Sequence, residues 1–480
     1  MPTTRSQTAQ DRAIIAESNE PGQTAVAGKD HHSSNGTRHR PAASAQYLTN
    51  DTDWVKARPR DTSPDEPLRF IINLSLPPEQ RYLEVCTALK SEINNLTSLF
   101  DEVVGDMVNF VSNWWLHFLC RILLRGVYNK EENAELKGIS KVTGVSIYLL
   151  VCFNVLLDLF MGCSSGGAAV SDGKGESKMV HFRTLDWGMP ALRRIIVHLD
   201  FTTETGGPVV ASSITYAGFV GVLTGVRKDF SVSLNFRPYH NDSNNFWANA
   251  KYTWHQILVL LGWRPSISST LRDYLLPRRV RGSNTMPASM EKKRSRGAWS
   301  CIDYSDVIEP FRNLDKRSML FRSTACYLCF SNGAETTVVE KDLVTAKVRS
   351  SDGFIVITNS DEDETILEAA EPAEDSNLAA ALAEIVEEAK DRKQCAEHNW
   401  NNMKAARAKQ SGLRRTSAEQ RNALLTVEDA VTMVQKFPTT NEMTHFACVM
   451  DPSEGAVSWC RRWVRPVGAK WIRKHQSETW

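Results

Sequence analysis

The sequence has no surplus of charge of either sign. Its 57 Lys and Arg stand against 56 Asp and Glu, a formal charge of +1 at pH 7. No global field therefore draws it to nucleic acid or to anionic lipid. Long apolar runs are also lacking. The best candidate, Val145 to Met161, falls short of the about 20 residues a membrane span needs and contains Asn154 and Asp158, so it reads as a core helix. Met1 to Ala45 has Thr, Ser, Gln and Asp where a secretory leader would be apolar. Residues 1–63 read as a disordered tail, and with no leader visible a cytoplasmic location is the expectation. The ten Cys are scattered and do not form a disulfide framework. Cys326 and Cys329 are spaced C-x-x-C, but they lack a second pair and enclose Tyr327-Leu328. A buried strand is expected there, and no metal or cofactor.

What is present is a folded protein: 480 residues, 42% hydrophobic, with 13 Trp. Residues 64–162 read as a segment of one strand followed by helices. Arg69 to Leu76 stacks β-formers, Pro77-Pro78 ends the strand, and Glu79 to Leu99 then follows helical spacing. Helices are also expected over Val108–Leu124 and Glu131–Thr143, the latter closed by Gly144. Residues 163–480 read as a second part. Strands are expected at Met179–Phe182, Ile195–Phe201, Val209–Tyr216, Gly218–Thr224 and Phe230–Phe236, and again between Ala325 and Thr358. A basic loop, residues 277–299, and an acidic, Ala-rich helical insert, residues 362–410, interrupt them. The loop's cations have no interleaved aromatics, so no nucleic-acid site is expected there. Two groups of strands with helices before, between and after them imply an α+β layered domain.

The chain is organised around the stretch Val145 to Gly188. Its apolar run stops at a turn, Gly162-Cys163-Ser164-Ser165-Gly166, and a polar connection leads to Met179-Val180-His181-Phe182 and then Arg183, Asp186 and Trp187. A hairpin would fold a thiol, a cation and a carboxylate onto one another, and a neighbouring guanidinium favours thiolate over thiol.

These residues, with Phe70 to Pro78, Tyr216 to Gly225, Ser231 to Arg237, Val356 to Asp361 and Asn441 to Met450, occur in one order over most of residues 68–465. In this they resemble the acid ceramidase and N-acylethanolamine-hydrolysing acid amidase family. The resemblance implies a four-layer αββα N-terminal-nucleophile hydrolase sandwich with a helical N-terminal segment. It also implies self-cleavage between Gly162 and Cys163, where glycine permits strained backbone, and two fragments that stay associated. Cys163 would then attack the amide of a lipid-like substrate, its own α-amine acting as base. Arg183 would lower the thiol pKa, Asp186 would fix the amine, and Asn359 would donate to the oxyanion. For a further arginine two positions compete, Arg392 and Arg414. Asn235, Phe236 and Trp187 are expected at the substrate pocket, and the apolar helices at transient contact with a membrane surface. By resemblance the compartment would be lysosome or vacuole. An acyltransferase of the same fold is the second reading. A catalytically dead lipid-binding relative is the third, favoured by Phe236 where the family has an acidic residue.

Overall fold

A computed structural model of the chain describes residues 65–94, 113–156, 162–172, 176–241, 245–279, 299–313, 322–362, 377–410 and 425–468, all within the compact unit Trp54–Trp480. Thirteen strands are introduced in chain order: β1 (Leu68–Asn73), β2 (Gly162–Ser171), β3 (Ser177–Asp186), β4 (Ile196–Thr202), β5 (Val209–Tyr216), β6 (Thr224–Arg227), β7 (Phe230–Phe236), β8 (Cys326–Ser331), β9 (Thr336–Lys341), β10 (Ala346–Ser351), β11 (Phe354–Ile357), β12 (Thr444–Asp451) and β13 (Ala456–Arg462). They form an eight-stranded sheet, β1-β4-β5-β6-β7-β8-β9-β10, and a five-stranded sheet, β11-β2-β3-β12-β13. Among the described strands only β1 joins its neighbour in parallel, at the edge beside β4.

The helices are α1 (Leu83–Ala88), α2 (Lys90–Asn94), α3 (Asn113–Leu123), α4 (Lys130–Thr143), α5 (Ile147–Leu156), α6 (Phe246–Leu260), α7 (Ile267–Leu275), α8 (Tyr304–Arg312), α9 (Asn377–Gln410) and α10 (Val427–Gln435). Local chemistry sets their ends. Asn129 accepts from the Glu131 N–H at the start of α4, and Gly144, at φ +84°, supplies the left-handed cap that ends it. Thr426 and Asp429 close a capping box on α10.

The two sheets face each other, with α9 and α10 against the outside of the small sheet and α7 and α8 against the large one. This is a four-layer αββα sandwich. Leu185, Tyr216, Leu234, Leu328 and Phe446 belong to the core that fills it, and Trp400, Met433 and Val449 to a second core under α9 and α10. Close approach at β2 explains its glycines. A Cβ at Gly166 would lie 2.1 Å from the Ile355 carbonyl oxygen, and one at Gly167 1.9 Å from the Thr336 hydroxyl.

Three expectations are corrected. Gly162 to Gly166 is not a turn but the first half of β2, because every residue there pairs across to β3. The strand expected over Gly218–Thr224 is an irregular connection, with Gly218 at φ +91°, and pairing resumes only at Thr224. The helix expected from Glu79 to Leu99 is broken into a 3₁₀ turn, α1 and α2. Within the basic loop, Arg278–Arg279 pairs with Trp299–Ser300; residues 280–298 lie outside the described residues, as do 363–376 of the insert.

Candidate active site

Strand register brings the chemistry together. In the β2–β3 pair Gly162 faces Asp186, Cys163 faces Leu185 and Ser165 faces Arg183. Arg183 donates to the Cys163 Sγ at 3.2 Å, to Ser165 Oγ at 3.0 Å and to Asn235 Oδ1 at 2.6 Å. Asn235 in turn donates to the carbonyls of Ile357 and Thr358 at 3.1 and 3.2 Å. Arg183 is wholly buried, and no carboxylate among the described residues lies within ion-pair distance of it. A thiolate at Cys163 would be its counter-ion.

Asp186 is held from two sides. Arg392 of α9 donates to its Oδ2 at 2.8 Å, and Thr444 of β12 to its Oδ1 at 2.6 Å. Arg392 also donates to Asn359 Oδ1 at 3.0 Å and Ser164 Oγ at 3.3 Å. The same Asn359 Oδ1 accepts from the backbone nitrogen of Cys163 at 2.7 Å, the atom that would become the α-amine after cleavage. Asn359 Nδ2 donates to the Phe236 carbonyl at 2.7 Å. Cys163, Arg183, Asp186, Asn359 and Arg392 therefore share one buried network. Arg414 lies outside the described residues.

Several details differ from expectation. Arg183 does favour the thiolate, but desolvation is the larger effect, so the Cys163 thiol of the uncut chain is pushed up rather than down. Burial likewise raises Asp186, against the pull of Arg392 and Thr444. Gly162 is extended strand with no left-handed φ, and a Cβ there would meet Asp186 Cβ at 3.4 Å and Arg392 Nη2 at 3.8 Å, ordinary contacts. Neither a left-handed backbone nor a close approach therefore requires glycine at this position. Asn235 is buried inside the Arg183 network rather than on an open wall, while Trp187 and Phe236 are half-buried at the ends of β3 and β7. Thr444 and the serines of β2 escaped sequence reasoning. A threonine before an apolar strand carries no mark of its partner some 250 residues away, and only register reveals it.

Beside this network, His181 of β3 is fully buried between Ser231 Oγ and Ser233 Oγ, each 2.8 Å from a ring nitrogen. Desolvation, aided by Arg183, holds its pKa down at about 3. The unfolded chain takes up a proton there below pH 6.5 and the folded chain does not, so stability is lost as pH falls from 6.5 towards 3. Over two pH units this amounts to about 2–3 kcal/mol. In thermal melts at pH 7 and pH 4.5, the destabilisation caused by His181→Gln is expected to shrink at the lower pH. A penalty that is constant or grows in acid would refute the assignment.

Comparison with known proteins finds partial matches. The family model for the beta subunit of N-acylethanolamine-hydrolysing acid amidase matches residues 65–122. The N-acylethanolamine-hydrolysing acid amidase of Caenorhabditis elegans is 32% identical over 187 residues, 36% of this chain and 48% of that protein. Acid ceramidase of Mus musculus is 29% identical over 187 residues, covering 35% and 44%, and that of Homo sapiens 29% over 189, covering 35% and 45%. The matched stretch thus spans about half the length of these curated relatives. A solved structure of the Caenorhabditis elegans amidase ortholog aligns with 65% of this chain and 97% of its own at 20% identity and TM-score 0.37. Over these matched stretches the chain is similar to the acid ceramidases and N-acylethanolamine-hydrolysing acid amidases.

Proposed function

We propose that the protein hydrolyses the amide bond of a lipid-like N-acyl substrate, of ceramide or N-acylethanolamine type, with Cys163 as nucleophile. The observation that carries this reading is the Arg183 guanidinium 3.2 Å from the Cys163 sulfur, with no carboxylate among the described residues at ion-pair distance from it. Cleavage between Gly162 and Cys163 frees an α-amine whose pKa lies near neutrality and which sits next to its own sulfur. Asn359, already bonded to that nitrogen, orients it, and Asp186 with Arg392 fixes the surrounding charge. Cutting the backbone also opens the end of β2 to solvent, which relieves the desolvation that disfavours the thiolate. The thiolate then adds to the amide carbonyl, the amine leaves with a proton, and water hydrolyses the thioester. Arg183 and Arg392 supply positive charge where the oxyanion forms.

The two fragments stay associated in this reading, since β1 pairs with β4 and Glu135 bonds Arg272 across the cut at 2.5 Å and 2.7 Å, with both side chains buried. Release of fatty acid from labelled ceramide and N-acylethanolamine tests the activity, and mass spectrometry for a chain beginning at Cys163 tests the cleavage. Acyl transfer that rises with added amine at constant total acyl release would favour the acyltransferase reading instead.

Access to lipid is supported by an exposed aromatic surface. Phe246, Trp247 and Trp254 of α6 are 74%, 71% and 57% exposed, and Trp263 beyond it 66%. The chain after α6 abuts the chain after α3, for a Cβ at Gly262 would lie 2.4 Å from the Gly126 carbonyl oxygen. Phe118, Leu119, Ile122 and Leu123 of α3 are also exposed. No helix among the described residues is long and apolar enough to cross a membrane, so this surface suits transient contact. Transfer of one large apolar side chain out of water is worth about 1.5–3 kcal/mol. Trp247→Ser with Trp254→Ser should therefore weaken co-sedimentation with phosphatidylcholine vesicles by about 10-fold or more; unchanged sedimentation would rule the contact out.

A further inference from the structure

We infer that His445 and Tyr216 form a positioning pair that ties the Asp186 end of the site to the large sheet and sets the geometry in which Cys163 reacts. The inference rests on the amide-hydrolase reading and assigns two residues that reading does not use.

The geometry begins with a bulge. Between β12 and β3, Thr444 faces Asp186 and Phe446 faces Leu185, so His445 is the extra residue with no partner in the register. A bulge re-aims a side chain, and here it turns the His445 ring into the space between the sheets. There the Tyr216 hydroxyl, at the end of β5 in the opposite sheet, lies 2.7 Å from His445 Nδ1. The rings meet edge-on, 5.9 Å between centroids at 83°. Trp187, immediately after Asp186, lies 6.4 Å from each of them. Both residues of the pair are fully buried, and Tyr216 and Cys163 belong to one core. The stretch around His445 is itself anchored, since Arg193 donates to the carbonyls of Thr444, Glu442 and Trp463 at 2.5, 2.7 and 3.2 Å.

The bond joins two uncharged partners. Burial together with Arg193 holds His445 neutral, well below its ordinary pKa, and burial keeps Tyr216 protonated. Which of the two donates follows from the tautomer of His445. In either case the bond fixes the phenol in place beside the core that holds Cys163. The bond also clamps the strand end carrying Thr444, whose hydroxyl orients the Asp186 carboxylate at 2.6 Å. Neither residue touches the scissile bond; both act through Asp186 and Cys163.

The test is a double-mutant cycle on full-length protein, read as kcat, KM, extent of cleavage at Cys163 and melting temperature. Tyr216→Phe and His445→Val should each lower kcat by about 10-fold with KM within about twofold, and the double variant should lose no more than the worse single one. His445→Asn, whose Oδ1 can accept in place of Nδ1, should recover most of the loss. Unchanged kcat in Tyr216→Phe would overturn the inference. So would a fall in melting temperature with full kcat per folded molecule, or losses that simply multiply. Cys163→Ala in the same assays separates the two levels. If Cys163→Ala is inactive while Tyr216→Phe is normal, only this inference fails; if Cys163→Ala retains full activity, the hydrolase reading fails.

Discussion

Cys163→Ala is expected to remain one chain of 53.9 kDa on a denaturing gel, and to release fatty acid from labelled N-acyl substrate slower by on the order of 10⁴-fold or more. The size of the effect follows from the double duty of one residue. In the proposed mechanism its sulfur breaks the Gly162–Cys163 bond, and the same sulfur later attacks substrate. Without it neither the free α-amine nor the acyl-enzyme exists, and only the positive charge of Arg183 and Arg392 remains to polarise a carbonyl. The substitution removes a small, wholly buried side chain that packs with Leu185 and Phe446 in the inter-sheet core, so the fold should persist with a modest fall in melting temperature. A cleaved Cys163→Ala protein, or wild-type rates of release from it, would end the proposal. A wild-type protein that stays uncut and inactive would do the same, and would favour the lipid-binding relative.

Arg392→Ala should produce the second-largest loss, in stability as well as turnover. Arg392 and Asp186 are 3% and 4% exposed and joined at 2.8 Å. Removing one partner strands a buried charge, which typically costs about 3–5 kcal/mol. Burial already raises the Asp186 pKa, and Arg392 is the largest influence holding it down. Without the guanidinium the carboxyl takes up a proton more readily, and Ser164 and Asn359 lose the donor they share. Turnover should fall about 100-fold or more. Arg392→Lys keeps the charge but offers no fork to reach Asp186, Asn359 and Ser164 together, so it should regain stability more than activity. The double variant Asp186→Asn with Arg392→Met should melt closer to wild type than Arg392→Ala does, while staying inactive. Melting temperature and kcat both near wild type in Arg392→Ala would show that the pair does not hold the site.

The sequence was legible where the signal is local. Gly144 ended α4 because a left-handed cap is a one-residue property. The C-x-x-C of Cys326 and Cys329 became a buried strand, β8, because Tyr327-Leu328 suits a sheet and no second pair of ligands was near. Signals that depend on pairing were not legible. Gly162 to Gly166 has the composition of a turn, yet it is strand because β3 and β11 lie on either side of it. The run Gly218 to Thr224 has strand-like residues but no partner until Thr224.

By itself, then, the order of residues determined that a thiol, a guanidinium and a carboxylate stand within 24 positions on consecutive elements, and which family they resemble. Tertiary structure alone decided the rest. It brought Arg392 from a helix 206 residues beyond Asp186, gave Asn359 the nitrogen of Cys163, and turned His445 inward through a bulge. It also made burial outweigh Arg183 at the sulfur. The physical reason is common to all four. Charge, hydrogen bonding and desolvation depend on distance in space, and a sheet sets those distances through its register, which a linear pattern of residues specifies only once its neighbours are known.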